Sequence, residues 1–482
     1  MRWPVVTYIT GFLLFALGLS MLLPVVCSAI YGGGDLAALS ISAVFTTISG
    51  AIAVLICRDT SFDNISQREG MAIVAVGWTV VGLYGALPFY ISGAFPHFVD
   101  AFFESVSGFT TTGSSVLTNI EAVPKGLLFW RSLIQWLGGM GIIVLSLAIL
   151  PFLGVGGMQL YKAEVPSPVP DKLKPRLSET ASILWKVYAL ISVVEVVLLL
   201  FGGMNLYDAL CHTFTTMPTG GFSTRNASVA GFDSAYLDGV IIVFMVLAGI
   251  NFSLHYQMMR GRTLIFWRDS ECRWFLFIVL GLSAVVTFDI YGTVYQSLPE
   301  ALRYGSFQVV SIITTTGYAT ADYELWPGLS QVLIFLCMFI GASAGSTGGG
   351  MKIVRVMLCL KYCYRELYML IHPRAVATIK LGGKAVSEDV MRSIIGFIAI
   401  YIGLFALCSA VLAAMGVDFV TAFTAVGSCI GNIGPGFGLV GPAENFALIP
   451  QGGKWLLIWC MLLGRLEIYT VIIFLVPEFW RK

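Results

Sequence analysis

Four times along this chain a helix-compatible apolar stretch runs into a turn rich in threonine and glycine, and each time a membrane-length apolar stretch follows. The turns are Thr110-Thr111-Thr112-Gly113-Ser114, Thr219-Gly220-Gly221-Phe222, Thr314-Thr315-Thr316-Gly317-Tyr318 and Asn432-Ile433-Gly434-Pro435. Their glycines stand 108, 96 and 117 residues apart. One such turn alone reads as a tight turn or a small-residue contact between helices. Four in register read as a ring of backbone loops. In such a ring carbonyl oxygens replace the water shell of a potassium ion, and glycine lets the backbone turn them inward.

Ahead of each turn lies a shorter apolar segment. Asp100-Ala101-Phe102 stands thirteen residues before Gly113, and Asp208-Ala209-Leu210 and Thr421-Ala422-Phe423 keep that distance from Gly221 and Gly434. Asp and Thr are good N-caps, so the spacing predicts helix starts at these places. The third copy has Tyr304-Gly305-Ser306 there and needs a different cap. Each short helix would aim its partly negative C-terminal end at a turn, where a cation is stabilised. Irregular backbone at membrane depth is tolerated only where protein or a water-filled cavity surrounds it, so four such turns favour one shared pore.

The membrane setting follows from composition. Hydrophobic residues make up 57% of the chain and charged residues 11%, against roughly 25% charged in an ordinary soluble domain. A soluble fold could not hide that surface. Apolar runs near the ~20 residues of a spanning helix cover approximately 5–30, 37–57, 71–93, 127–151, 182–203, 238–259, 274–292, 329–350, 393–415 and 455–477. The first has only Arg2 ahead of it and no Ala-x-Ala site behind it, so a retained helix is expected rather than a signal peptide. A net charge of +1 argues against a nucleic-acid partner. The ten cysteines form no CxxC or Cys/His cluster and read as reduced packing residues. His97, His212, His255 and His372 are scattered, and no HExxH or nucleophile elbow speaks for a membrane enzyme.

Charge asymmetry sets an expected orientation. Nineteen basic residues lie in the segments joining one repeat to the next, from Arg58 and Arg68 through Lys162, Lys172, Lys174, Arg176, Lys186 and Arg260 to Lys352, Arg355, Lys361, Arg365 and Arg392. The turn side carries five: Lys125, Arg131, Arg225, Arg303 and Lys454. The joining segments should be cytoplasmic and the turns should face outward. Acidic residues such as Asp100, Glu104, Glu324 and Glu444 lean toward the turn side, where carboxylates concentrate cations; singly, each reads as a solvated loop charge or cap.

Two further places stand out. The eighth apolar run ends in Gly341-Ala342-Ser343-Ala344-Gly345-Ser346-Thr347-Gly348-Gly349-Gly350. Each glycine there weakens a helix by about 0.8–1 kcal/mol relative to alanine, so a break is expected. A phosphate-binding loop is excluded, since the GK[ST] ending and a preceding strand are missing. Close helix packing by small residues is the other reading. Arg465 lies inside the last apolar run, where a charge costs at least about 2.5–3.5 kcal/mol. It marks a functional site, or is neutralised by Glu467, or snorkels to the interface. Glu195 in the fifth run poses the same choice.

Seven motifs in order carry a resemblance. They are Gly108-Phe109-Thr110-Thr111-Thr112-Gly113, Gly138-Gly139-Met140-Gly141-Ile142, the run from Gly154 to Tyr161, Gly220-Gly221-Phe222-Ser223-Thr224, the run from Ala344 to Gly350, Gly431-Asn432-Ile433-Gly434-Pro435-Gly436 and Gly464-Arg465-Leu466-Glu467. Over nearly its whole length the chain resembles the Trk/Ktr/HKT superfamily of potassium transporters, and within it the bacterial Trk-system membrane subunit.

That resemblance implies an all-α integral membrane protein. Four repeats of span, pore helix and span would surround one pore with pseudo-fourfold symmetry, after two extra N-terminal helices, for about ten spans. The expected division is 1–60 for the N-terminal pair, then repeats at 61–158, 159–260, 261–365 and 366–482, with filter loops at 110–114, 218–222, 314–318 and 431–435. The selectivity filter would comprise Thr111, Thr112 and Gly113, Thr219, Gly220 and Gly221, Thr315, Thr316 and Gly317, and Asn432, Ile433 and Gly434, with K+ bound there. Asn432-Ile433 departs most from the pattern. Glycine in all four copies is similar to the potassium-selective members; plant relatives with serine in the first copy tend to pass sodium.

The loop at 341–350, with Gly345, Ser346, Thr347, Gly348, Gly349 and Gly350, would be an intramembrane gate, and Arg465 would face it beside the ion path. Further implications are a homodimer in the bacterial inner membrane, filter loops toward the periplasm, and a cytosolic ring of TrkA-type regulatory subunits binding NAD and ATP or ADP. No organic cofactor is expected on this chain. The function implied is potassium uptake through a gated, channel-like pore, or else symport of potassium with protons or sodium.

Overall fold

The computed structural model describes residues 1–60, 66–149, 177–375 and 377–480. The motif from Gly154 to Tyr161, the basic residues Lys162, Lys172, Lys174 and Arg176, and Pro166, Pro168, Pro170 and Pro175 lie outside the described residues.

The described chain is helical nearly throughout; one small antiparallel hairpin pairs Lys380 with Ala385 and Leu381 with Lys384. Apolar runs that satisfy their backbone internally become helices, as a hydrocarbon solvent demands. Among the described residues, six helices are long and apolar enough to cross a membrane: Trp3–Tyr31, Leu36–Ile56, Arg68–Ile91, Thr180–Phe201, Ser270–Ile290 and Glu388–Ala414. A seventh is a pair, Ala235–Ala248 and Phe252–Met259, bent by 100°. Side chains such as Phe277, Leu280 and Phe288 point outward, 66–75% exposed, which suits a lipid face and would be costly in water.

The run at 127–151 is helical as expected, within Lys125–Ile149 among the described residues. Two expected runs take different forms. The run at 329–350 is helical only over Gly328–Ile340, because Gly341 turns the backbone to φ 74° and the glycine-rich stretch cannot hold helix. The run at 455–477 breaks after Gln451–Arg465: Glu467 takes φ 58° and a short helix, Ile468–Ile472, resumes beyond it.

The two N-terminal helices meet through small residues. Gly11 faces Ala53 and Gly50, and Gly18 faces Thr47, so the backbones approach to distances that admit no Cβ. Arg2 joins this pair to the next helix by ion pairing with Glu69 at 2.9 Å.

Inside the shell of long helices lie four short ones, Phe98–Phe109, Leu206–Thr216, Leu298–Ile313 and Phe419–Gly431. They are the buried core: every residue from Val99 to Phe109 is buried. One hydrophobic cluster joins the first and fourth through Phe103, Trp130, Val426 and Met461. Another surrounds the third with Phe275, Phe307, Ile312 and Cys337. Their starts differ from the spacing argument. Asp100, Asp208 and Thr421 are third helical residues, not caps; the caps are His97, Asn205 and Asp418. Asn205 and Asp418 accept the N–H of residues 208 and 421, as N-cap side chains do. Asp100 instead ion-pairs with buried Lys454 at 2.6 Å. The third helix starts earlier, at Leu298 with Ser297 in the cap position, because Pro299 suits a first turn.

Candidate functional site

All four short helices end in the same way. The N–H groups of Thr112, Gly220, Thr316 and Ile433 reach back five residues to the carbonyls of Ser107, Thr215, Ser311 and Ser428, at 2.8, 2.8, 2.8 and 2.9 Å. The residue before each, Thr111, Thr219, Thr315 and Asn432, is left-handed with φ 50, 57, 62 and 53°. This is a Schellman-type end, in which the left-handed place normally belongs to glycine and sometimes to asparagine. Asn432, the apparent departure of the fourth copy, is thus the residue best suited to its conformation. The threonines are the anomaly, since a β-branched residue in left-handed backbone is strained.

Two residues after each left-handed position stands a glycine, Gly113, Gly221, Gly317 or Gly434, with φ 84, 73, 81 and 112°. These glycines bring the turns together. A Cβ on Gly113 would strike the carbonyl oxygen of Gly220, one on Gly221 that of Thr316, and one on Gly317 that of Ile433. One on Gly434 would stand 3.0 Å from the carbonyl oxygen of Thr112. Each glycine therefore abuts the carbonyl preceding the next glycine, and the order first, second, third, fourth, first closes. The four glycines also line one cavity of about 90 Å³, with Arg225, Asn226 and Glu444 at its wall.

Buried polar contacts hold the ring from behind. Thr110 and Thr112 share a hydroxyl hydrogen bond at 2.7 Å, and Thr314 and Thr316 repeat it at 2.8 Å. Asn432 donates from Nδ2 to Thr112 Oγ1 at 2.9 Å and to the Met461 carbonyl at 3.0 Å, tying the fourth turn to the first. Tyr318 of the third turn donates to the His212 carbonyl at 3.0 Å and bonds the hydroxyls of Thr215 and Thr216. Arg131 pairs with Glu104 at 2.6 Å, donates to the Ser223 carbonyl and lies 3.5 Å over the Phe222 ring. Gln135 grips the second turn, its Nε2 donating to the Gly220 carbonyl at 2.7 Å and its Oε1 accepting from Phe222 N–H at 3.2 Å.

The 341–350 segment lies against the same short-helix ends. Gly349 N–H donates to Thr315 Oγ1 at 2.7 Å, and Thr347 Oγ1 donates to the Met217 carbonyl at 2.9 Å. A Cβ on Gly349 would strike the Gly431 carbonyl, so the segment touches the second, third and fourth helix ends. Arg465 Nη1 donates to the Thr347 carbonyl at 2.7 Å, and Lys352 Nζ donates to the Gly348 carbonyl. Glu271 Oε1 accepts from Ala344 N–H at 2.7 Å. Glu467 pairs with Arg355 at 2.7 Å, not with Arg465; Arg465 is buried, and its Nε and Nη2 have no acceptor among the described residues. Glu195 is also fully buried, with Thr216 the polar side chain beside it.

Sequence reasoning named the turns, the loop and Arg465 but passed over Gln135 and Glu271, gave Tyr318 no role beyond its place in the third turn, and counted Arg131 among the basic residues of the turn side. The available signal was Arg131 and Gln135 four apart in an apolar run, one helical face carrying two polar groups that lipid would reject.

Long apolar helices wrapped around buried irregular backbone define the class: a helical membrane protein whose unusual backbone is shielded from lipid by its own shell. The chain belongs to the TrkH family, described as cation transport protein, whose family model matches residues 38–482. That family is one of transporters, not of enzymes. The Trk system potassium uptake protein TrkH of Salmonella typhimurium is 42% identical over 487 residues, covering the whole of both chains. The Trk system potassium uptake protein TrkG of Escherichia coli K12 is 37% identical, covering 99% of each. Among solved structures, the crystal structure of the potassium transporter TrkH from Vibrio parahaemolyticus matches with a TM-score of 0.93 and 39% identity, covering 100% of each chain.

Proposed function

We propose that this chain is the membrane subunit of a bacterial Trk system and takes up potassium across the inner membrane through a selective, gated pore. The closed cycle of glycine-to-carbonyl contacts carries the reading, because a ring of inward-facing backbone oxygens is the means by which a pore strips and rehydrates potassium. Thr111 to Gly113, Thr219 to Gly221, Thr315 to Gly317 and Asn432 to Gly434 are the filter. The helix ends converging on it add partial negative charge. Ten crossings in all, some of them broken, form the N-terminal pair and four repeats of the division given above, with the filter toward the periplasm. The segment Gly345 to Gly350 is the gate, closed beneath the filter, and Arg465 adds a repelling charge at the constriction. The membrane potential drives entry at about 2.3 kcal/mol per charge per 100 mV. Gating comes from cytosolic nucleotide-binding subunits docked on the basic face, and the unit is a homodimer with one pore in each chain.

Rubidium-tracer uptake into proteoliposomes under a potassium diffusion potential tests this. Wild-type uptake is expected to follow voltage and resist sodium, and Gly113→Ser and Gly317→Ser to lose preference for rubidium over sodium. An unchanged preference in both variants would remove the filter assignment. Symport is a second reading, favoured by one observation, the fully buried Glu195 carboxyl inside a span. Under that reading a pH or sodium gradient drives uptake in place of voltage, and Glu195→Gln abolishes the dependence.

A further inference from the structure

The four filter corners are not equally stiff. Before the ring glycines stand Thr112, Gly220, Thr316 and Ile433. Three are β-branched and restrict their own backbone, whereas the second is a glycine followed by another glycine. The Gly220–Gly221 peptide is therefore the one in the ring with least steric resistance to rotation, and its carbonyl is the oxygen against which Gly113 rests. Left to itself, this corner would present its oxygen only part of the time.

We infer that Gln135 is a positioning residue for ion selectivity, locking the second corner in its coordinating conformation; this rests on the filter reading above. Gln135 is fully buried on the Lys125–Ile149 helix. Its amide closes on Gly221 from both sides, donating to the preceding carbonyl at 2.7 Å and accepting from the following N–H at 3.2 Å. A rotated peptide would break the first bond and turn the carbonyl away from its donor. A carbonyl oxygen has two lone pairs, so the bond from Nε2 leaves one free for an ion. A Cβ on Gly220 would come within 2.7 Å of Gln135 Nε2, so the amide occupies the space of the side chain that Gly220 lacks. Gly220 itself is outside the positive-φ residues, so its backbone accepts a side chain once that space is vacated. Stiffness that three corners draw from their own β-branch thus reaches the second from a neighbouring repeat.

The test uses the full-length protein in proteoliposomes, with rubidium uptake competed by sodium and half-saturation and maximal rate measured separately. Gln135→Leu removes both bonds and is expected to lower the preference for rubidium over sodium by about tenfold, the factor carried by one net hydrogen bond. Gln135→Glu, which sets a carboxylate oxygen against the Gly220 carbonyl, shifts selectivity in the same direction and decides the matter if the leucine variant fails to fold. The double variant Gln135→Ala with Gly220→Thr supplies a β-branch in the vacated space and regains preference over Gln135→Ala alone. A role in packing only would lower folded yield or maximal rate and leave the selectivity ratio at the wild-type value; that result overturns the inference, as does absence of rescue by Gly220→Thr. Gly317→Ser runs alongside. If it shifts selectivity while the Gln135 variants do not, the inference alone fails; if neither shifts, the filter reading fails with it.

Discussion

A threonine in left-handed backbone costs of order 1–2 kcal/mol relative to an ordinary conformation, yet Thr111, Thr219 and Thr315 all adopt it. Such strain persists only where surroundings over-determine it, and here the five-residue return bonds and the shared hydroxyls do so. The need for glycine was legible in the sequence because no other residue lets the turns touch. The supports behind them were not, because Arg131, Gln135 and Tyr318 act on residues more than eighty positions away. Arg131 offers a stability test at this scale. With both partners at most 3% exposed, Arg131→Met leaves Glu104 buried and uncompensated and should cost about 3–5 kcal/mol. The expected readout is a large fall in the thermal midpoint in detergent, most of it recovered when Glu104→Leu is added. Recovery failing in the double variant would mean that the Ser223 and Phe222 contacts, not charge burial, carry the cost.

Among elements, the short helices and the broken eighth run behave differently from the spans around them. The break at Gly341 was legible, since glycine density overrides apolarity there. The cap positions were not: thirteen residues back from the glycine lies the first turn, and the caps sit three residues earlier. Asp418 gives this a pH dependence. The Thr421 hydroxyl and backbone N–H hold its carboxyl below the ordinary carboxylate range. The cap's contribution is therefore complete above the unfolded value near 3.9 and is lost as pH falls through the lower folded value. Asp418→Ala should cost about 0.5–2 kcal/mol at neutral pH, and the gap from wild type should close in unfolding measurements carried below about pH 4. For the proposed gate, removing residues 346–349 deletes the contacts to Thr315, Met217 and Arg465 together. Rubidium uptake by the chain alone should then rise without any regulatory subunit; uptake no higher than wild type would point to a constriction elsewhere.

For the whole molecule, helix content and membrane setting were legible from apolar runs alone, because hydrocarbon leaves the backbone few options. Continuity was not. Runs that look uniform in hydropathy are bent at 249–251, unwound at 341–350 and broken at Glu467, and each interruption lies at the central cluster, where protein replaces lipid. Orientation yields a direct test. Asn226 is exposed at the cavity beside the four glycines, and Cys363 is the exposed cysteine among the described residues, on the helix following the 341–350 segment. A membrane-impermeant maleimide should reach Asn226→Cys from the periplasmic side and native Cys363 only from the cytoplasmic side. Labelling of both from one side would invert or fold back the proposed topology.

The four turns close in chain order within one polypeptide. A ring assembled from separate subunits would impose any change on every corner at once. Here each corner is coded separately: one codon alters one turn in four. Asn432 at one corner and the Gly220–Gly221 pair at another are differences of this kind, each confined to its own corner. Covalent linkage also fixes the stoichiometry at synthesis, leaving no mixed rings in which a defective copy spoils the rest, so one corner can vary while three stay as they are.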